Sequence, residues 1–124
     1  MAAALVVAGV LVGSSLGEPD SRTISANVEM QGASAELHVA GDQAMLVAEN
    51  LPAPPEGRVY EVWLMPEDSD VPEPTSVLFM PRGDGSAEAA IPSVDGVSQV
   101  LVTDEPHGGA DEPSGELLLS ADLS

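Results

Sequence analysis

Arg58-Val59-Tyr60-Glu61-Val62-Trp63-Leu64-Met65 reads as a β-strand, and the rest of the chain can be ordered around it. β-Branched and aromatic side chains fit a pleated, half-buried surface, and this run is rich in both. The stretch just before it, Leu51-Pro52-Ala53-Pro54-Pro55-Glu56-Gly57, cannot be a central strand. Each Pro fixes φ and has no N–H to donate to a ladder. The stretch just after it, Pro66 to Pro74, is an acidic, Pro-rich loop.

Further out the period remains two. Ala33 to Ala40 alternates, with Ala35, Leu37 and Val39 on one face and Ser34, Glu36 and His38 on the other. Gly41-Asp42 follows as a turn and Gln43 to Glu49 resumes the pattern, which predicts a tight hairpin. Thr23 to Met30, Thr75 to Met80, Ala87 to Ile91, Val97 to Thr103 and Glu116 to Leu123 are further strands. Gly83-Asp84-Gly85, read as a hairpin turn, Asp95-Gly96 and Gly108-Gly109 separate them. Short strands with regular turn signals, and no amphipathic helix, predict an all-β fold. The expectation is an antiparallel, immunoglobulin-like β-sandwich of about eight strands over residues 23–124, with a barrel as the alternative. No internal repeat is visible.

The chain has 124 residues, enough for one domain. Arg22, Arg58 and Arg82 are its only basic residues besides two His, and they face 21 acidic ones, for a net charge of −18. Such a surface repels nucleic-acid phosphates and anionic headgroups, so no nucleic-acid partner is expected. With 44% hydrophobic residues the chain is not a disordered acidic tail. The absence of Cys excludes disulfides, thiolate metal sites and a Cys nucleophile.

Met1 to Gly17 carries no charge, and Ala2 to Val12 is apolar apart from Gly9. Sixteen or so helical residues cover roughly 24 Å, a little short of the roughly 30 Å hydrocarbon core. Three readings stay open for residues 1–17: the outer end of a transmembrane helix, an atypical signal peptide without the usual basic start, or a buried helix. Residues 18–22 read as a polar linker, and the first two readings put residues 18–124 outside the cytoplasm.

Two blocks carry a resemblance. Leu51, Pro52, Gly57, Tyr60 and Trp63 form the first; Thr103, Glu105, Pro106, Gly108, Gly109 and Pro113 form the second, about forty residues on. In this order they resemble the C-terminal domain of RskA-type anti-sigma factors. That resemblance implies a single-pass bacterial membrane protein whose cytoplasmic N-terminal domain holds an extracytoplasmic-function sigma factor. It also implies release of the sigma factor by regulated proteolysis, with a membrane-associated protease acting near the linker. The sigma-binding domain is not in this sequence, and Asp104 stands where the family usually has an apolar or neutral residue.

Read without the family, the same residues are structural. Tyr60 and Trp63 are three apart on a strand and point to opposite faces. One packs in the core; the other covers an edge or anchors a loop. Gly108 and Gly109 permit positive φ in a tight turn. The Glu105 carboxylate can accept backbone N–H bonds within it.

No cofactor, metal or catalytic function is expected. Nothing in the sequence brings His38 and His107 together. The acidic run Glu67-Asp68-Ser69-Asp70, with Glu73, lacks the spacing and glycine of a calcium loop. No Gly-x-Ser-x-Gly elbow or phosphate-binding Lys is present. Met30, Met45, Met65 and Met80 lack the Cys of a blue-copper site and read as packing residues. Besides the regulatory reading, a stand-alone exported binding or adhesion module on the same sandwich remains the alternative.

Overall fold

The computed structural model describes residues 21–123. Nine strands follow in order: β1 (Arg22–Ser25), β2 (Asn27–Val28), β3 (Ser34–Ala40), β4 (Gln43–Glu49), β5 (Arg58–Pro66), β6 (Glu73–Phe79), β7 (Ala87–Ile91), β8 (Val97–Pro106) and β9 (Leu117–Asp122). They form a four-stranded sheet, β1-β3-β4-β7, and a five-stranded sheet, β2-β9-β8-β5-β6, with every pairing antiparallel. This is the expected all-β sandwich. The apolar stretch 1–17 and most of the linker lie outside the described residues. Arg22, the linker's last residue, already belongs to β1. Among the described residues no helix is long and apolar enough to cross a membrane.

The four-stranded sheet builds its inner face in rows. Ala35, Ala48 and Ala87 pair across it, then Leu37, Leu46 and Ala89, then Val39, Ala44 and Ile91. All nine are buried. The facing sheet contributes Tyr60, Val62, Val100, Val102, Leu119 and Ala121. Small Ala side chains let the sheets approach, and the Tyr60 and Phe79 rings, 5.4 Å apart, fill one region of the core.

Three departures from the sequence reading have physical causes. The strand predicted over Thr23 to Met30 breaks at Ala26, whose N–H still reaches Ala35 O at 3.0 Å. Its first half pairs with β3 and its second with β9, so one stretch of chain closes an edge of both sheets. Gly83-Asp84-Gly85 is not a hairpin turn, because β6 and β7 lie in different sheets and the turn carries the chain between them. β6 begins at Glu73-Pro74, within the predicted loop. Pro74 is tolerated because β6 is an edge strand.

β6 also carries a bulge. Its pairing with β5 jumps from Glu61↔Leu78 to Trp63↔Pro74. Thr75 Oγ1 fills the gap, donating to Val62 O at 2.7 Å and accepting from Val77 N at 3.0 Å. Ser76 is forced to φ 67°, a left-handed value that suits glycine. A left-handed L-residue costs roughly 1–2 kcal/mol, whereas glycine's extra chain entropy costs roughly 0.5–1. Relief of strain wins, so Ser76→Gly should stabilise the domain by about 0.5–1 kcal/mol. A urea midpoint at or below the parent's would show that Ser76 is unstrained or that its side chain is needed.

Candidate functional site

β5 is buried over Val59 to Trp63 without interruption, so both of its faces are covered. That is the pattern of a strand packed on two sides. Tyr60 and Val62 face the sandwich core. Glu61 and Trp63 face the other way, beside Leu101, Thr103 and Glu105 of β8. The cover on this outer side is the segment between β8 and β9, residues 107–116.

Two carboxylates hold that segment down. Glu105, fully buried, is the hub. It accepts from Ser114 Oγ and Thr103 Oγ1, from Ser114 N at 3.0 Å and from Gly115 N at 3.2 Å. Trp63 Nε1 donates to Thr103 Oγ1 at 2.8 Å, so an indole, a hydroxyl and a carboxylate form one buried chain. Glu61, only 2% exposed, accepts from Ala110 N at 2.9 Å. The sequence reading took one of Tyr60 and Trp63 as a core residue and the other as an edge cover or loop anchor. Both are buried, Trp63 completely; Tyr60 lies in the core and Trp63 outside it, its polar tip on Thr103. Tyr60 packs in the core and its hydroxyl donates to Pro52 O. Burial, then the charge of Asp104, push its phenol pKa up.

The glycines are set by positive φ or by close approach. Gly108 and Gly109 have φ of 98° and 87°, and Gly109 N closes the turn on Pro106 O at 2.8 Å. Gly115 leaves no space at all: a β-carbon there would overlap the Asp104 carbonyl oxygen and lie 2.9 Å from its carbon. Backbone cannot yield as a flexible side chain does. Gly115→Ala should therefore cost about 1–3 kcal/mol and weaken the protection of the Ser114 and Gly115 amides in hydrogen exchange. Unchanged protection would mean that the segment seats without this contact.

The two sequence blocks meet here. Val59↔Glu105 and Glu61↔Thr103 are register partners, and His107 N donates to Gly57 O at 2.9 Å. Leu51 is in the core, Pro52 supplies the Tyr60 acceptor and Gly57 has φ 82°. Pro106 ends β8, and Pro113 is exposed within the covering segment. Asp104 receives Arg58, through Nε at 3.3 Å and through Nη2 to its carbonyl at 2.8 Å. Sequence reasoning missed Glu61, Ala110, Ser114 and Gly115. The available signal was the lone carboxylate inside the apolar strand run Val59 to Met65. His38, on β3, contacts Thr23 and Glu36, while His107 follows β8 in the other sheet. Among the described residues no three His, Cys, Asp or Glu are grouped to hold a metal.

The carboxylates titrate in opposite directions. Burial pushes Glu61 up, and the charges of Glu105 and Asp111 add to it against the Ala110 N–H. Burial also acts on Glu105, but the hydroxyls of Ser114 and Thr103 and the amides of Gly115 and Ser114 outweigh it and leave its pKa lowered. Glu61 therefore opposes folding at neutral pH, and the opposition lifts as pH falls through its raised pKa. Glu105 supports folding at neutral pH, and the support is lost as pH falls through its lowered pKa. Neutralising part of the −18 charge acts with Glu61. The urea midpoint should rise as pH falls from 7 through the raised Glu61 pKa, and fall at still lower pH through the lowered Glu105 pKa. A steady decline from pH 7 would contradict this.

Comparison with known proteins fits this geometry. The family described as "Anti-sigma-K factor rskA, C-terminal" matches residues 1–117, a span that takes in both blocks and the apolar start. The chain belongs to this family. The anti-sigma-K factor RskA of Mycolicibacterium vanbaalenii is 31% identical over 98 residues, covering 77% of this chain and 40% of that protein. A Streptomyces griseus protein, described as an uncharacterized protein in the phr 5′ region, is 30% identical over 103 residues, covering 82% of this chain and 42% of the relative. The chain thus spans about two fifths of the length of these curated relatives. No solved structure matches it. For the RskA C-terminal family, the clasp gives the second block's Thr103, Glu105 and paired glycines a shared task in this chain: seating one covering segment.

Proposed function

We propose that this domain is the extracytoplasmic, non-catalytic half of a single-pass bacterial membrane anti-sigma factor, and that its folded state controls release of the sigma factor by proteolysis. Family membership over residues 1–117 carries the reading. The cognate extracytoplasmic-function sigma factor would be held by a cytoplasmic domain in the remainder of the longer protein, as the chain's share of its relatives allows. Residues 1–17 would contribute to the membrane span.

The way the folded part begins supports the gating step. Proteases bind substrates as extended strands, so a segment already paired in a sheet is a poor substrate. Arg22 to Ser25 is paired with Val39 to Glu36 directly after the linker. Arg22 Nη2 also donates to Leu123 O at 3.1 Å, tying the first strand to the end of the domain. While the sandwich stands, the stretch open to a membrane-associated protease ends before β1. Once it opens, the accessible stretch lengthens.

The decisive experiment is a pulldown from membranes of the source cell, using the full in-frame gene product tagged after Ser124. Co-purification of a sigma factor supports the reading. Recovery of a membrane-free product without one would replace it with an exported binding module. For the gate, cut rates around residues 18–25 are compared in the folded and destabilised domain. Equal rates would rule the gate out.

A further inference from the structure

Beside the clasp lies a cleft of about 220 Å³ between β6 and the covering segment, walled by Pro74, Ser76, Leu78, Gly109 and Asp111, with Glu61 lining it. Four observations set it apart from ordinary surface. Glu61 is 2% exposed, yet its Oε2 accepts no hydrogen bond from any described residue; only Oε1 is used, by Ala110. The rim is built by the bulge that holds Ser76 at φ 67°. Bulges and strained non-glycine residues concentrate where a sheet serves a binding purpose. A side chain at Gly109 would crowd the cleft, since a β-carbon there would lie 3.3 Å from both Glu61 Oε1 and Leu78 Cδ2. Finally, no Lys or Arg of the chain fills it. There is no Lys, and the three Arg are engaged elsewhere: Arg22 by Leu123, Arg58 by Asp104, Arg82 by Ser86 and Glu88.

We infer that this cleft receives the Lys or Arg side chain of a partner protein, with the cationic head at Glu61 and Asp111 and the methylene stem along Leu78 and Pro74. A buried acid next to like charges gains most from an incoming positive group. Leu78, 37% exposed, supplies the apolar wall that such a stem covers. A hard divalent ion fits less well, because it takes six to eight oxygens and among the described residues no three acidic or imidazole groups are placed to hold one. The −18 charge would steer a basic partner towards the domain at low salt. This inference does not depend on the anti-sigma-factor reading.

The test uses the full chain, labelled with nitrogen-15, at fixed ionic strength. Nα-acetyl-arginine amide and Nα-acetyl-lysine amide are the probes, tetramethylammonium is the control of equal charge, and spermidine represents a free polyamine. Saturable amide shifts confined to Ser76 and Gly108 to Asp111 are expected with the amino-acid probes at about millimolar concentration. Asp111→Asn, which leaves the Glu61–Ala110 bond in place, should weaken binding about fivefold. Glu61→Gln should abolish it. Shifts that fail to saturate, equal shifts with tetramethylammonium, or undiminished affinity in Asp111→Asn would overturn the site. Tighter binding of spermidine than of either amino-acid probe would overturn a protein side chain as its occupant.

Discussion

Glu105→Ala is expected to lower the unfolding free energy by about 3–5 kcal/mol, read from urea denaturation at pH 7. The side chain is fully buried and serves four donors: Thr103 Oγ1, Ser114 N, Ser114 Oγ and Gly115 N. A bond to a charged acceptor nets about 1.5–3 kcal/mol, and these four cannot simply add because they share two oxygens and one segment. The segment can also swing out and hydrate, which caps the loss. Glu105→Gln keeps one acceptor oxygen but points an NH₂ at donors, so it should fall between Ala and the parent. Its deficit should shrink as pH drops through the lowered Glu105 pKa, because the parent then loses the same charge. Glu88→Ala is the control. That carboxylate is exposed and its nearest cation, Arg82, is 3.6 Å away, so the change should stay within about 0.5 kcal/mol. A Glu105→Ala cost under about 1 kcal/mol would remove the clasp as a source of stability.

Trp63→Ala should cost a similar amount, about 3–5 kcal/mol, for a different reason. The indole is completely buried outside the sandwich core, with its Nε1 on Thr103 of β8. Its loss leaves a void that neither the strand nor the clasped segment can close without breaking pairs. Trp63→Phe separates shape from polarity: it retains most of the volume and deletes the Nε1–H that serves Thr103. That variant should lose about 1–2 kcal/mol. Combining it with Glu105→Gln should give a non-additive result, with coupling of roughly 0.5–3 kcal/mol, since both act through Thr103. Strict additivity would mean that the indole and the carboxylate are independent. Either single Ala variant should also raise cut rates at residues 18–25 if the proposed gate operates.

The sandwich was legible because its signals are local. Alternation over Ala33 to Glu49 and the Pro-rich break before Arg58 need no knowledge of distant residues, and each corresponds to a feature of the fold. The strand switch at Ala26 was not legible. Its cause is which sheet edge each half meets, and edges exist only after assembly. The Gly83–Gly85 turn misled for the same reason: a turn signal says that the chain bends, not whether the next strand returns to the same sheet. At the site, Thr103, Glu105 and the paired glycines could be picked out as a block, but Glu105 accepts the amides of Ser114 and Gly115, not those of the Gly108-Gly109 turn as the sequence suggested. Glu61 could not, because a charged residue within a strand usually marks the solvent side. Here the unbroken apolar run around it was the better guide. Gly115 had no signal at all, since its need arises from the Asp104 carbonyl of a neighbouring strand.

The bond from Arg22 to Leu123 O brings the first and last described strands to one pole of the domain. The chain enters at the pole where Gly41, Asp42, Glu67 and Asp95 gather around these two residues. β5 runs away from the other pole, where His107 N meets Gly57 O, so the covering segment begins at the far end. If the proposed membrane anchor precedes β1, an anionic lipid surface beneath the entry pole would meet acidic side chains and push the domain upright, leaving the distal pole as the part that a visitor from outside reaches first.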